Sequence, residues 1–179
     1  MSPDDATQPS THEQRQRYRQ TIGHFATGVS IITSHGANGP VGMTANALCS
    51  VSLDPLLLLV CFDQSARTLP VVQDSGRFAV NVLRHEQHAL SGTFASKLQE
   101  QEKFAGVPWR LHEGAPILDQ ALAWLICSLR DTHPAGDHTI GIGEVIDSHH
   151  EPAGRPLVWF GGSYGRLADE TPAEARLPN

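Results

Sequence analysis

Leu56 to Phe62 reads Leu-Leu-Leu-Leu-Val-Cys-Phe, an unbroken apolar run that follows the turn signal Asp54-Pro55. It falls far short of the roughly 20 apolar residues a helix needs to cross a bilayer. A strand buried on both faces produces such a run. Other strand-like stretches surround it: β-branched Val29 to Thr33, Val51 to Leu53, and Phe78 to Leu83, where large and small apolar residues alternate around Asn81. Ala121 to Leu129, His138 to Ile146 and Pro156 to Phe160 bring the expected count to six or seven strands. They follow one another without regular helices between them, which argues against a parallel βαβ sheet. An antiparallel barrel has no exposed edges once closed and is the expected architecture, mainly β with a few short helices.

The first of those helices is N-terminal. Ser10 or Thr11 can cap it, Thr11-x-x-Gln14 fits a capping box, Tyr18, Ile22 and Phe25 follow at helical spacing, and Gly28 offers a stop. Ser65 is predicted to cap a second helix running toward Ser75 with Pro70 in its first turns, and Arg84 to Phe94 reads as a third. His35 to Pro40 is rich in turn residues.

A chain of 179 residues suits one domain. Its 40% apolar fraction is diluted by polar ends, so residues 1–12 and 168–179 are expected to be disordered tails around a body spanning 13–167. The net charge of −6 argues against nucleic-acid binding. The first ten residues lack the basic start and apolar stretch of a signal peptide, which predicts a cytoplasmic protein without a membrane segment. Cys49, Cys61 and Cys127 lie far apart, form no CxxC pair and are expected to be buried reduced thiols. The glycines of Gly141-Ile-Gly143-Glu-Val are read as a strand end with no GxGxxG after them, so a Rossmann site is not expected. P-loop, GxSxG and HExxH motifs are missing as well.

Two segments carry candidate chemistry. Gly42 to Ser52 packs small residues with the hydroxyl and amide side chains of Thr44, Asn46, Ser50 and Ser52. Such a surface admits a flat ligand close to the backbone, or is simply a polar strand edge and turn. Ser65-Ala-Arg-Thr68 lies at a predicted helix start, where free N–H groups and the Arg67 fork could hold a phosphate. An ordinary helix cap with a solvated arginine fits the same residues.

A resemblance decides between these readings. The segments FATGVSIIT, GMTANALCSVSLDPLLLLVC, SARTL, FAVNVL, KFAGVPW, GDHTIGIGEV and PLVWFGGSYGRL run in order from Phe25 to Leu167. Together they resemble the small flavin reductase components of two-component flavin-dependent monooxygenases. The resemblance implies a split β-barrel, antiparallel and Greek-key-like, that acts as a homodimer with its site near the subunit interface. It implies FMN or FAD as the flavin, NADH or NADPH as hydride donor, and a monooxygenase component that receives the reduced flavin. It also implies that Thr44, Ala45, Asn46, Ala47, Leu48, Ser50 and Val51 lie along the flavin. Ser52, Cys61, Ser65, Ala66, Arg67 and Thr68 would continue the site toward the ribityl chain and phosphate. His138 and Tyr164 match positions that contact the nicotinamide cofactor, with His138 positioning it rather than transferring a proton. Lys103 and Phe104 lie in a family-like segment without an assigned role. Relatives often carry a bulkier residue at the Gly141 position, so a wider cofactor groove is expected here.

No side chain is needed as nucleophile or acid, and no metal site is expected. His85 and His88 have a metal-ligand spacing, and His149 and His150 adjoin a turn, but no carboxylate or cysteine cluster completes either set. All four read as surface histidines. Trp109, Trp124 and Trp159 are expected in the core or an interface. Two other functions remain on the same scaffold: a carrier or oxidase that retains its flavin, and a non-enzymatic protein that binds flavin or haem.

Overall fold

The computed structural model describes residues 11–167. The chain runs through α1 (Thr11–Ile22), β1 (Thr27–Gly28), β2 (Ser30–Gly36), β3 (Gly39–Ala45), β4 (Leu48–Leu53) and β5 (Leu56–Asp63). Next come α2 (Thr68–Ser75), β6 (Arg77–Val82), a 3₁₀ turn (His85–Gln87), α3 (His88–Ala95) and α4 (Glu100–Phe104). The remainder is β7 (Trp109–His112), β8 (Ala115–Leu118), β9 (Ala123–Ala135), β10 (His138–His150), β11 (Val158–Phe160) and β12 (Ser163–Gly165). The expected tails lie outside the described residues at 1–10 and 168–179, whereas Thr11 and His12 open α1.

Seven strands pair in the order β3-β2-β6-β9-β10-β5-β4, every pair antiparallel. The two outer strands, β3 and β4, are consecutive in the chain and separated only by Asn46 and Ala47. Three Cα steps reach at most about 11 Å. The sheet must therefore roll until its two edges meet at this corner, which makes it a barrel split along one seam. Inside lie Ile32, Val60, Phe62, Phe78, Val80 and Cys127, with the rings of Phe62 and Phe78 edge to face at 6.0 Å. A second cluster, built from Val29, Ile31, Leu83, Phe94, Leu118 and Leu157, packs on the outer side.

Strands buried on both faces are β2, at residues 30–34, β6, at residues 78–81, and the short β8, and not β5. In β5 the side chains of Leu58, Val60 and Phe62 point inward, while Leu57, Leu59 and Cys61 are only half-buried. β2, like β5, neighbours an edge strand, but it is covered outside by α3 and the β7–β8 hairpin. β5 neighbours the edge strand β4, and little of this chain covers their outer face.

Among the described residues, twelve strands replace the expected six or seven. β3 was hidden by its glycines and proline, and pairing with β2 across seven residues overrides that local preference. The α1 helix ends at Ile22, so Phe25 lies beyond it and Gly28 pairs with Val158 in a strand. Ser65 does not cap α2: the helix starts at Thr68 after Arg67, with no side-chain cap. The stretch 84–94 is divided, because the Gln87 side chain accepts the Arg84 N–H at 2.8 Å and closes a 3₁₀ turn first.

Gly141 and Gly143 lie within β10 rather than at its end. A Cβ at Gly141 would come within 2.7 Å of the Phe62 ring, and one at Gly143 within 2.5 Å of Phe78. The space left at Gly141 is thus filled by a core ring, and no cofactor groove is widened.

Candidate functional site

A cavity of about 450 Å³ opens where three parts of the chain converge. β3 contributes Met43 and Thr44, the β5–α2 loop contributes Asp63 and Ser65 to Thr68, and the end of α3 contributes Phe94 to Lys97. Lys103 reaches it from α4.

Asp63 organises the loop. Its Oδ1 accepts the Ser65 N–H and the Ser65 hydroxyl, each at 2.7 Å. These bonds hold the Asp63 carboxyl below its ordinary range, with the His138 and Lys97 charges adding to the effect. The single Ser65 hydroxyl proton is therefore committed to Asp63. Thr68 differs: it is 1% exposed, lines the cavity, and its hydroxyl has no hydrogen-bond partner among the described residues. Lys97 is exposed at the cavity wall and forms neither an ion pair nor a hydrogen bond among the described residues.

Arg67 is not simply solvated. Its Nε and Nη2 lie 3.0 Å from Glu100 Oε1, and Nη2 also donates to the Leu98 carbonyl.

Tyr164 and His138 do not line the cavity but each is linked to a residue that does. The Thr44 hydroxyl donates to the Ser91 carbonyl at 2.6 Å, and Ser91 Oγ lies 2.9 Å from the Tyr164 hydroxyl. Trp159 packs edge-on against Tyr164 at 5.0 Å. His138 sits across from Asp63 in the β10–β5 ladder. Its carbonyl accepts the Gln64 amide at 3.2 Å, and its Nδ1 lies 2.7 Å from Asp137 Oδ1. Contact with His138 holds the Asp137 carboxyl below its ordinary range.

The rest of the expected flavin segment follows the corner and β4. Ala45 turns into the core, so it could meet a ligand only through its backbone. Asn46 is exposed, its amide 3.3 Å from the Thr27 hydroxyl, and the Ala47 carbonyl accepts the Cys61 N–H at 3.1 Å. Leu48, Ser50 and Ser52 line a second, shallower concavity of about 280 Å³ together with Leu53, Leu56 and Leu57. Between the two serines the register shifts, and Val51 is the extra residue of a β-bulge, 49% exposed. Of the expected residues, Thr44 and Ser65 to Thr68 line the first concavity, Leu48, Ser50 and Ser52 line the second, and the others line neither.

Of the cysteines only Cys127 is fully buried, and burial pushes its thiol up to about 12. Cys61 is half-buried and also raised by burial, whereas Cys49 is exposed on the edge strand β4, against the expectation for it. Trp109 and Trp159 pack against the outer cluster and Trp124 against Ile117 and Ile126, as expected for core residues. Ser91, Lys97 and Glu100 went unremarked in the sequence. No motif marks them, since each gains its place from the packing of α3 and α4 against β3.

Residues 22–168 match the flavin reductase like domain family. This chain belongs to that family. The flavin reductase-like chain is 38% identical over 164 residues to the reductase subunit HsaB of a flavin-dependent monooxygenase from Mycobacterium tuberculosis, covering 89% of this chain and 87% of HsaB. It is 48% identical to a probable flavin reductase from Rhizobium meliloti over 71% of this chain, which spans only 41% of that longer relative. Among solved structures, nitrilotriacetate monooxygenase component B from Mycobacterium thermoresistibile superposes with a TM-score of 0.87 at 35% identity, covering 93% of this chain and 95% of that one. The NADH:FAD oxidoreductase SgcE6 from Streptomyces globisporus, in complex with NAD and FAD fragments, gives 0.83 at 36% identity, covering 91% and 98%.

Proposed function

We propose that this chain is an NAD(P)H-dependent flavin reductase that reduces FMN or FAD and supplies the reduced flavin to a partner monooxygenase. The observation that carries the reading is the cavity itself, where the Thr68 hydroxyl and Lys97, without partners among the described residues, offer donors to an anionic ligand. Its volume of about 450 Å³ suits a small-molecule site. The names of HsaB and SgcE6 support the same activity and the same kind of partner.

Bound NAD(P)H would supply a hydride to the flavin. The chain's own work is positioning and electrostatics. Thr44, Asn46 and the backbone from Ala45 to Leu48 line the flavin's path, and donors there stabilise charge that develops on the ring. Arg67, Thr68 and Lys97 take the phosphate end. His138, oriented by Asp137, and Tyr164, held by Ser91, position the nicotinamide.

The chain acts as a homodimer in this reading. Val51, Leu53 and Leu56 are 49%, 83% and 49% exposed around the turn that joins β4 to β5. Ser50 and Ser52 line the shallow concavity there with Leu53 and Leu56, so a second copy laid against it would complete the flavin site.

Steady-state oxidation of NADH and NADPH by the purified chain with FMN, FAD or riboflavin tests the proposal. Turnover with a flavin KM in the micromolar range (roughly the usual enzyme range) is the expected result. Tightly held flavin that never turns over would overturn it in favour of a carrier or binding protein.

A further inference from the structure

Glu100 is the most heavily used polar side chain near the cavity, although it does not line it. Its side chain is 12% exposed. Oε1 lies 3.0 Å from Arg67 Nε, 3.0 Å from Arg67 Nη2 and 3.3 Å from Lys103 Nζ. Oε2 accepts the Gly42 N–H at 2.9 Å, while Lys103 Nζ donates to the Gly42 carbonyl at 3.0 Å. Glu100 and Lys103, one turn apart on α4, thereby bond both backbone groups of Gly42 on the edge strand β3. One carboxylate ties together β3, the α3–α4 segment and the loop that carries Arg67, which are the three walls of the cavity.

We propose that Glu100 is the positioning residue for the phosphate of a phosphorylated flavin: it fixes one edge of the Arg67 guanidinium, so that Arg67, Lys97 and the Thr68 hydroxyl converge on that phosphate and the site selects FMN over riboflavin. The inference rests on the flavin reading above.

Three features support it. Arg67 is 45% exposed, and a side chain so exposed would sample many rotamers if nothing held it. With Nε and Nη2 fixed by Glu100 and Leu98, Nη1 has no partner among the described residues. A fork anchored along one edge is preorganised for an anion. Lys103, 7% exposed, offsets the Glu100 charge, so the carboxylate orients Arg67 without cancelling the local positive charge. Asp63, the remaining anion in the lining, is already occupied by Ser65.

The test is flavin fluorescence titration of the full chain with FMN and with riboflavin, alongside NADH turnover with each. In Glu100→Gln the Kd for FMN should rise about tenfold more than the Kd for riboflavin, the scale of a lost charge-assisted contact. The KM values should follow the same ratio, with kcat at saturating flavin changed much less. Arg67→Gln removes the guanidinium that meets the phosphate and leaves Glu100 paired with the buried Lys103. It should shift the ratio at least as far, and Glu100→Gln added to it should shift the ratio no further, because Glu100 acts through Arg67. Equal losses for both flavins, or a ratio within about twofold of wild type, would overturn the proposal and leave Glu100 a purely structural residue. Wild-type protein that binds flavin without turnover would sink the reductase reading, while the Kd ratios would still decide the role of Glu100.

Discussion

At the scale of single residues, a few polar side chains do work that their local sequence does not announce. Asn81 is fully buried in β6 and uses both amide hydrogens, one to the Ile31 carbonyl at 3.1 Å and one to the Thr33 hydroxyl at 3.0 Å. Its carbonyl oxygen accepts the Leu118 N–H at 2.8 Å, which ties the β7–β8 hairpin to the barrel. Asn81→Leu leaves these partners buried and unpaired, so urea unfolding should show a loss of about 2–4 kcal/mol. His138 offers a different contrast. It is half-buried at the edge of the site, its ring is oriented by Asp137, and none of its contacts supports the core. His138→Ala should raise the KM for the nicotinamide several-fold with little change in flavin affinity. Unchanged kinetics, or a selective loss of flavin binding, would remove it from the nicotinamide site.

Elements show where close packing replaces side-chain bulk. β10 crosses the core between β5 and β9, and it can do so because Gly141 and Gly143 leave room for Phe62 and Phe78. Gly141→Val would drive its side chain into the Phe62 ring, and the overpacking should cost about 1–3 kcal/mol in thermal or urea unfolding. The ratio of NADH to NADPH activity should not move, because the position faces the core rather than a cofactor. β9 makes a similar accommodation for Pro134. β6 pairs with β9 only through residues 123–128, so Pro134 lies on a free edge where its missing N–H goes unneeded.

Across the whole molecule, the hairpin end of β4 and β5 stands apart from the rest of the surface. Leu53, Leu56 and Val51 are exposed beside the about 280 Å³ concavity, on the same strands as Ser50, Ser52 and Cys61. An exposed apolar patch next to site residues fits association better than a solvated face. Leu53→Asp should therefore shift the chain from dimer to monomer in size-exclusion chromatography with light scattering, and flavin affinity should fall with it. A monomeric wild type, or a variant that stays dimeric with full activity, would refute the dimeric site. α1 belongs to the same scale: it has no buried residue and exposes Tyr18 and Ile22.

The sequence by itself determined the fold class, the antiparallel character and the family. Those follow from strand periodicity, turn residues and a series of ordered motifs, all of which are local or nearly so. It also picked out Thr44 and Ser65 to Thr68, which do meet at one cavity. Tertiary structure decided the rest. The apolar run of β5 looked doubly buried because hydrophobicity records only what a residue prefers, while coverage depends on which elements pack outside it. Ser65 looked like a cap until Asp63, two residues before it, took its hydroxyl. Glu100 had no visible role, because its partners at positions 42 and 67 lie far away in the chain and approach only after β3 and α4 have packed. A carboxylate acquires a function of that kind from the charges brought beside it, and folding alone brings them there.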